Sequence, residues 1–132
     1  MWVCMCKTDK ESILRKLISL RDLMSVMKFG IVLYSNDPET AYQAFRLGTF
    51  SLNKGDEVNM FLLAKGVECD ELDTEKFKVT EQIQSFLDQG GKTYSCTSCM
   101  KIRKKGASGA CPLSKMDDLY RIISESDKVV TF

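Results

Sequence analysis

From residue 27 onward, short apolar runs alternate with stretches whose apolar positions recur every three or four residues, the signature of strands alternating with helices. Residues 28–34 form an apolar run suited to a buried parallel strand. Asp37 and Pro38 supply an N-cap and a first-turn proline. Ala41, Ala44, Phe45, Gly48 and Leu52 then line one helical face, until residues 53–55 stop the helix. Residues 57–64 read as the second strand and 65–71 as a loop. A helix is expected over 75–89, with Val79, Ile83, Phe86 and Leu87 inward, ended by Gly90 and Gly91. Residues 92–95 are the third strand, a brief basic helix runs to Lys105, and 106–112 form a flexible loop. Ser114, with Asp117 three residues on, reads as the cap of a helix burying Met116, Leu119, Tyr120 and Ile123. Residues 128–132 close the pattern as a strand.

The alternation implies a parallel sheet covered on both faces. The expected fold is an α/β, three-layer α/β/α sandwich with a mostly parallel, flavodoxin-like sheet over residues 27–132. Ahead of it, residues 1–26 are an extension in which Ile13, Leu17, Leu20 and Met24 share one face, predicting an amphipathic helix over 9–26. That stripe needs a cover, on this domain or on another subunit. Met27, where the new pattern opens, is a second candidate start. Ligands of such sheets bind beyond the carboxyl ends of the strands. With a flavodoxin-like order the first and third strands are neighbours, so residues 35–37 would face Cys96.

Composition narrows the function classes. The 132 residues are 44% hydrophobic and 28% charged, ordinary for one globular domain. Nineteen basic against 18 acidic residues give a net charge of +1, with no general pull toward nucleic acid or an anionic membrane. No apolar run approaches the roughly 20 residues that span a bilayer. The opening residues are too short for a secretory signal, and the expected compartment is cytoplasmic. The six cysteines are then mostly reduced thiols rather than a disulfide framework. Histidine is absent, so no histidine-assisted base exists and the chemistry points to sulfur.

Cys96 and Cys99 carry that chemistry. They form a Cys-x-x-Cys pair at the end of the third strand, where an exposed thiol would sit at a helix start, beside Lys101, Arg103, Lys104 and Lys105. Helix dipole and cations favour a thiolate there. A cysteine is more often a small buried hydrophobe, but the second thiol and the polar neighbours Ser95, Thr97 and Ser98 are unlike a core segment. Cys99 is the secondary thiol, to resolve a disulfide or persulfide or to share a metal. Cys111, in a glycine-rich loop before Pro112, is a possible third thiol. Cys69 belongs to the same edge and would complete a four-thiolate set. Only one Cys-x-x-Cys knuckle is present, however, and no metal is expected. Cys4 and Cys6, in the extension, are incidental.

Ser35, Asn36 and Lys65, in the loops after the first two strands, are the candidate substrate-contacting residues. The basic run 101–105 is read as a solvated face, since no aromatic residues interleave it. The acids between Glu68 and Glu75 form no convincing catalytic pair. Neither a Gly-x-Gly-x-x-Gly motif nor a P-loop is present, so no nucleotide and no cofactor is implied.

Four blocks together resemble the DsrE/DsrF-like family of sulfur-handling proteins. They are the opening strand at 28–34, residues 58–67, the cysteine block 94–106 and the closing residues 126–132. The resemblance implies a sulfur carrier or sulfurtransferase, with Cys96 at the persulfide-carrying position. The spacing from Cys96 to Gly106 is a couple of residues longer than is usual in the family, which leaves Cys99 as the alternative acceptor. It also implies sulfur-donor and sulfur-acceptor proteins as partners, and a homo-oligomer, a trimer or hexamer. The competing readings are a thiol-disulfide redox protein and a non-enzymatic thiolate metal-binding module.

Overall fold

The structure, a computed structural model, describes residues 26–132; the helix expected over 9–26 lies, but for its last residue, outside the described residues. Five strands form an all-parallel sheet: β1 (Lys28–Leu33), β2 (Glu57–Leu62), β3 (Lys92–Cys96), β4 (Leu113–Ser114) and β5 (Lys128–Thr131). Between them run α1 (Pro38–Asn53), a 3-10 helix (Ala64–Glu71), α2 (Val79–Asp88), α3 (Thr97–Ile102) and α4 (Met116–Glu125). This is the three-layer α/β/α sandwich with a parallel sheet that the alternating pattern implies, flavodoxin-like in its layers.

The strand order is β4-β3-β2-β1-β5. β2 therefore lies between β1 and β3, with Leu62 paired to both Leu33 and Ser95. The direct approach of residues 35–37 to Cys96, which follows only if the first and third strands are neighbours, does not occur.

Alternation along the strands divides the core. Phe29, Ile31, Leu33, Val58, Met60 and Leu62 face α1, α2 and the 3-10 helix. There Phe45 meets Phe86 edge to face, with centroids 5.7 Å apart. The intervening positions Val32, Phe61 and Cys96 face α4, against Leu119 and Ile122. α1 starts as expected: Asp37 accepts the Thr40 amide at 2.9 Å, and Gly55 ends the helix from a φ of 93°.

Three expectations need correction. α2 begins at Val79 rather than 75, because residues 74–77 close a turn in which Thr74 and Phe77 are hydrogen-bonded. The Asp73 carboxylate then accepts the Thr80 amide at 2.8 Å and caps the helix from outside. Ser114 is a strand residue and not a cap. The α4 start is closed instead by Asp118, whose carboxylate accepts the Lys115 amide at 3.0 Å. Finally, α4 buries Leu119 and Ile122, and leaves Met116, Tyr120 and Ile123 on its outer side at 63%, 74% and 49% exposure.

Candidate functional site

β3 carries Cys96 to the carboxyl edge of the sheet, and α3 begins at the next residue. Cys96 is not the exposed thiol expected there. It is 8% exposed, because its strand position turns it toward Val32, Phe61 and Leu119. Cys99, one helical turn on, is the more accessible thiol; it packs against both faces of the core, beside Cys96.

α3 has six residues, so little macrodipole accumulates behind Cys96. It ends in a Schellman motif: the Lys105 amide donates to the Met100 carbonyl and the Lys104 amide to that of Lys101, with Lys104 at a φ of 53°. This reversal divides the basic run. Lys101 and Lys104 face solvent, while Arg103 and Lys105 turn back onto the 3-10 helix.

The 3-10 helix is the other wall of the site. It crosses the end of β1 so closely that a Cβ at Gly66 would stand 1.9 Å from the Leu33 carbonyl oxygen. Its first residue, Ala64, holds a left-handed φ of 50° and donates its amide to the Cys99 sulfur at 3.2 Å. Non-glycine residues held in that conformation concentrate at functional sites. Burial, and then the Cys96 neighbour, raise the Cys99 thiol above its ordinary value of 9.0; the Ala64 amide and the Arg103 charge oppose that rise. Cys99 therefore keeps its proton at neutral pH.

Polar contacts join the loops. Asn36 donates to Glu68 at 3.4 Å, Arg103 pairs with the same carboxylate oxygen at 3.4 Å, and Arg103 also donates to the Cys99 carbonyl at 3.1 Å. Asn36 thus reaches the cysteine block through Glu68 and Arg103, across the end of β2. Ser35 accepts the Asp37 amide at 3.0 Å and stays with its own turn. Lys65 is exposed beside Ala64. Lys105 fastens the far end of the 3-10 helix, donating to the Val67 carbonyl at 3.0 Å and pairing with Asp70 at 2.5 Å and Glu71 at 3.2 Å.

Cys111 does not join Cys96. It is fully buried among the α1–α2 side of the core, beside Cys69. The four thiolates that could have formed one set are thus divided by the sheet into Cys96–Cys99 and Cys69–Cys111. Among the described residues no group of three or more Cys, Asp or Glu side chains is placed to hold a metal ion.

Sequence reasoning missed Ala64, Glu68 and the inward turn of Arg103 and Lys105. No local pattern marks Ala64, whose amide meets Cys99 only through the register of β2 against β3. Glu68 sat in a polar stretch where nothing distinguished it from its acidic neighbours.

Fold and site together define a small α/β/α protein with a paired-thiol edge. The chain belongs to the DsrE/DsrF-like family, whose sequence model matches residues 27–132, and this ties it to sulfur-relay proteins. It is 32% identical over 114 residues to an uncharacterized protein of Methanocaldococcus jannaschii, covering 80% of this chain and all of that one. An uncharacterized protein of Methanopyrus kandleri is 30% identical over 100 residues, covering 71% of this chain and 83% of that one. Among solved structures, a conserved protein of unknown function from Bacteroides thetaiotaomicron superposes with a TM-score of 0.63 at 16% identity. That match covers 80% of this chain and 95% of that one, and it shows a shared fold. Among the described residues no helix is long and apolar enough to cross a membrane.

Proposed function

We propose that this protein is a sulfur carrier, or sulfurtransferase-like protein, that accepts sulfane sulfur on Cys96 as a persulfide and passes it to a partner's thiol. The observation that carries the reading is the pair of neighbouring thiols Cys96 and Cys99 at the carboxyl edge, with the Ala64 amide on Cys99. The Cys96 thiolate attacks the outer sulfur of a donor persulfide; a new S–S bond forms, the donor's S–S bond breaks, and the donor leaves as a thiolate. Cys99 keeps its proton and hydrogen-bonds the loaded sulfur. Release repeats the exchange, with the acceptor thiolate attacking the outer sulfur and Cys96 leaving. The 8% exposure of Cys96 suits transfer of a single atom better than conjugation of a bulky group.

The partners are a persulfide-bearing donor and a thiol-bearing acceptor, in a reducing compartment that we take to be the cytoplasm. A homo-oligomer, trimer or hexamer, fits the outer face of α4, where Met116, Tyr120 and Ile123 form an exposed apolar stripe. The same thiol pair also supports a second reading, a dithiol that cycles to a Cys96–Cys99 disulfide.

Incubation of the full chain with inorganic polysulfide, followed by peptide mass mapping, tests the two. The expected product is a Cys96 peptide heavier by one sulfur atom, lost in Cys96→Ser and retained in Cys99→Ser. Loss in Cys99→Ser alone would exchange the two roles. A product lighter by two hydrogens would favour the redox reading, and uptake unaffected by either substitution would overturn the proposal.

A further inference from the structure

Cys69 and Cys111 are placed together by two segments far apart in sequence. Cys69 lies in the 3-10 helix and Cys111 just ahead of β4; both side chains are fully buried, and the two thiols are neighbours. The Cys111 sulfur also lies 3.8 Å from the Val67 carbonyl, on the turn that carries Cys69. Beside it is the fully buried Ser95 hydroxyl. A cleft of about 370 Å³ lies where α2, through Thr80, Ile83, Gln84 and Leu87, meets the two segments, which contribute Asp70, Gly109 and Ala110. Asp70 follows Cys69 and Ala110 precedes Cys111 in the chain, so the cleft brings a small solute to within one residue of each cysteine.

From this cluster we infer a second redox site: Cys69 and Cys111 are a peroxide-responsive dithiol that closes to a disulfide, independently of Cys96 and Cys99. The Cys111 thiolate attacks one oxygen of a hydroperoxide; an S–O bond forms, the O–O bond breaks, and hydroxide or alkoxide leaves. The Cys69 sulfur then attacks the resulting sulfenic acid; the S–S bond forms, the S–O bond breaks, and hydroxide departs as water with the Cys69 proton. With hydrogen peroxide, two thiols and one peroxide yield one disulfide and two waters. Sulfur is oxidised and peroxide oxygen reduced, so no further reactant is required.

The two thiols differ as this sequence needs. The hydrogen bond from Cys69, helped by Ser95 and Ser108 against burial and the Asp70 charge, lowers Cys111 to about 7. Its partner Cys69 is pushed well above 9.0, by that same pairing first and then by burial, with Asp70 adding to the rise and Lys105 opposing it. The first is the attacking thiolate and the second the resolving thiol. Closure would link the 3-10 helix, whose Ala64 holds Cys99, to the β4 strand, whose Ser114 carbonyl accepts the Thr97 hydroxyl at 2.7 Å. The dithiol thus ties together the two segments that flank the paired-thiol edge.

The test treats the full chain with equimolar hydrogen peroxide, blocks remaining thiols by alkylation, and maps unreduced peptides. It is run on the wild type and on Cys96→Ser/Cys99→Ser, which removes the proposed sulfur site without touching this one. The expected result is a Cys69–Cys111 cross-link in both proteins, lost on reduction. In Cys69→Ser, dimedone should instead trap a sulfenic acid on Cys111. The inference is overturned if Cys69 and Cys111 remain alkylatable in the wild type after peroxide, or pair only with other cysteines. Failure of persulfide uptake at Cys96 leaves this outcome untouched.

Discussion

Ala64 gives its backbone amide to the sulfur of Cys99 at 3.2 Å, from a φ of 50° that an alanine rarely holds. The left-handed conformation costs a non-glycine residue about 1–2 kcal/mol, whereas glycine's extra freedom in the unfolded chain costs about 0.5–1 kcal/mol. Ala64→Gly should therefore gain up to about 1.5 kcal/mol. The amide is kept, so sulfur uptake should not change. Urea denaturation checks the first expectation; a loss greater than about 1 kcal/mol would mean that the exposed methyl makes a contact of its own.

Gly66→Ala should act in the opposite direction. Its Cβ would lie 1.9 Å from the Leu33 oxygen and 2.6 Å from the Leu33 carbonyl carbon, both backbone atoms that cannot rotate away. The 3-10 helix would have to lift, at a cost of about 3 kcal/mol or more. Because Ala64 lies two residues earlier, its amide should leave Cys99 at the same time. Denaturant midpoints and the alkylation rate of Cys99 at neutral pH measure the two effects; an unchanged midpoint would refute the crossing.

The outer face of α4 should be where copies of the chain meet. Light scattering on the wild type should return an oligomer, and Tyr120→Lys should dissociate it without lowering the fold's helix content, since Tyr120 is 74% exposed. A wild-type monomer would sink the idea.

Acid stability should depend on Asp37 and Asp73. The Thr40 amide and then its hydroxyl hold the Asp37 carboxyl below its ordinary 3.8, and the Thr80 hydroxyl and then its amide do the same for Asp73. Both folded values are lowered, so the stability they contribute is complete above pH 3.8 and is lost as pH falls through those lower values. Urea midpoints taken from about pH 5 down to about pH 2 should fall for the wild type and less steeply for Asp73→Asn. Equal slopes would mean that the Thr80 contacts contribute nothing.

The sheet and the helical faces were legible in the sequence because burial imposes their periods. Ala41, Ala44, Phe45 and Gly48 repeat as a helix must, and Cys96 closes a strand whose alternation is visible. α4 was misread because it has apolar residues on two faces, and its pattern does not say which one meets the sheet. Local signals do not report strand order either. The pairings of Ala64 with Cys99 and of Cys69 with Cys111 follow from β2 standing between β1 and β3. Asp73 capping α2 from outside likewise depends on a turn at residues 74–77 that the helix-favouring Glu75 and Lys76 conceal.

Placing β2 in the middle of the site leaves the connection that follows it without slack. The chain is held at Leu62 by two neighbouring strands and at Gly66 by contact with Leu33. One inserted residue between Leu62 and Ala64 would advance the amide by a full backbone step of about 3.8 Å. That exceeds the 3.2 Å separating the Ala64 nitrogen from the Cys99 sulfur. The exposed side chain at 65 can vary without disturbing that contact, whereas the residue count cannot: in this stretch chain length, as much as chemical identity, is what evolution or an engineer would have to preserve.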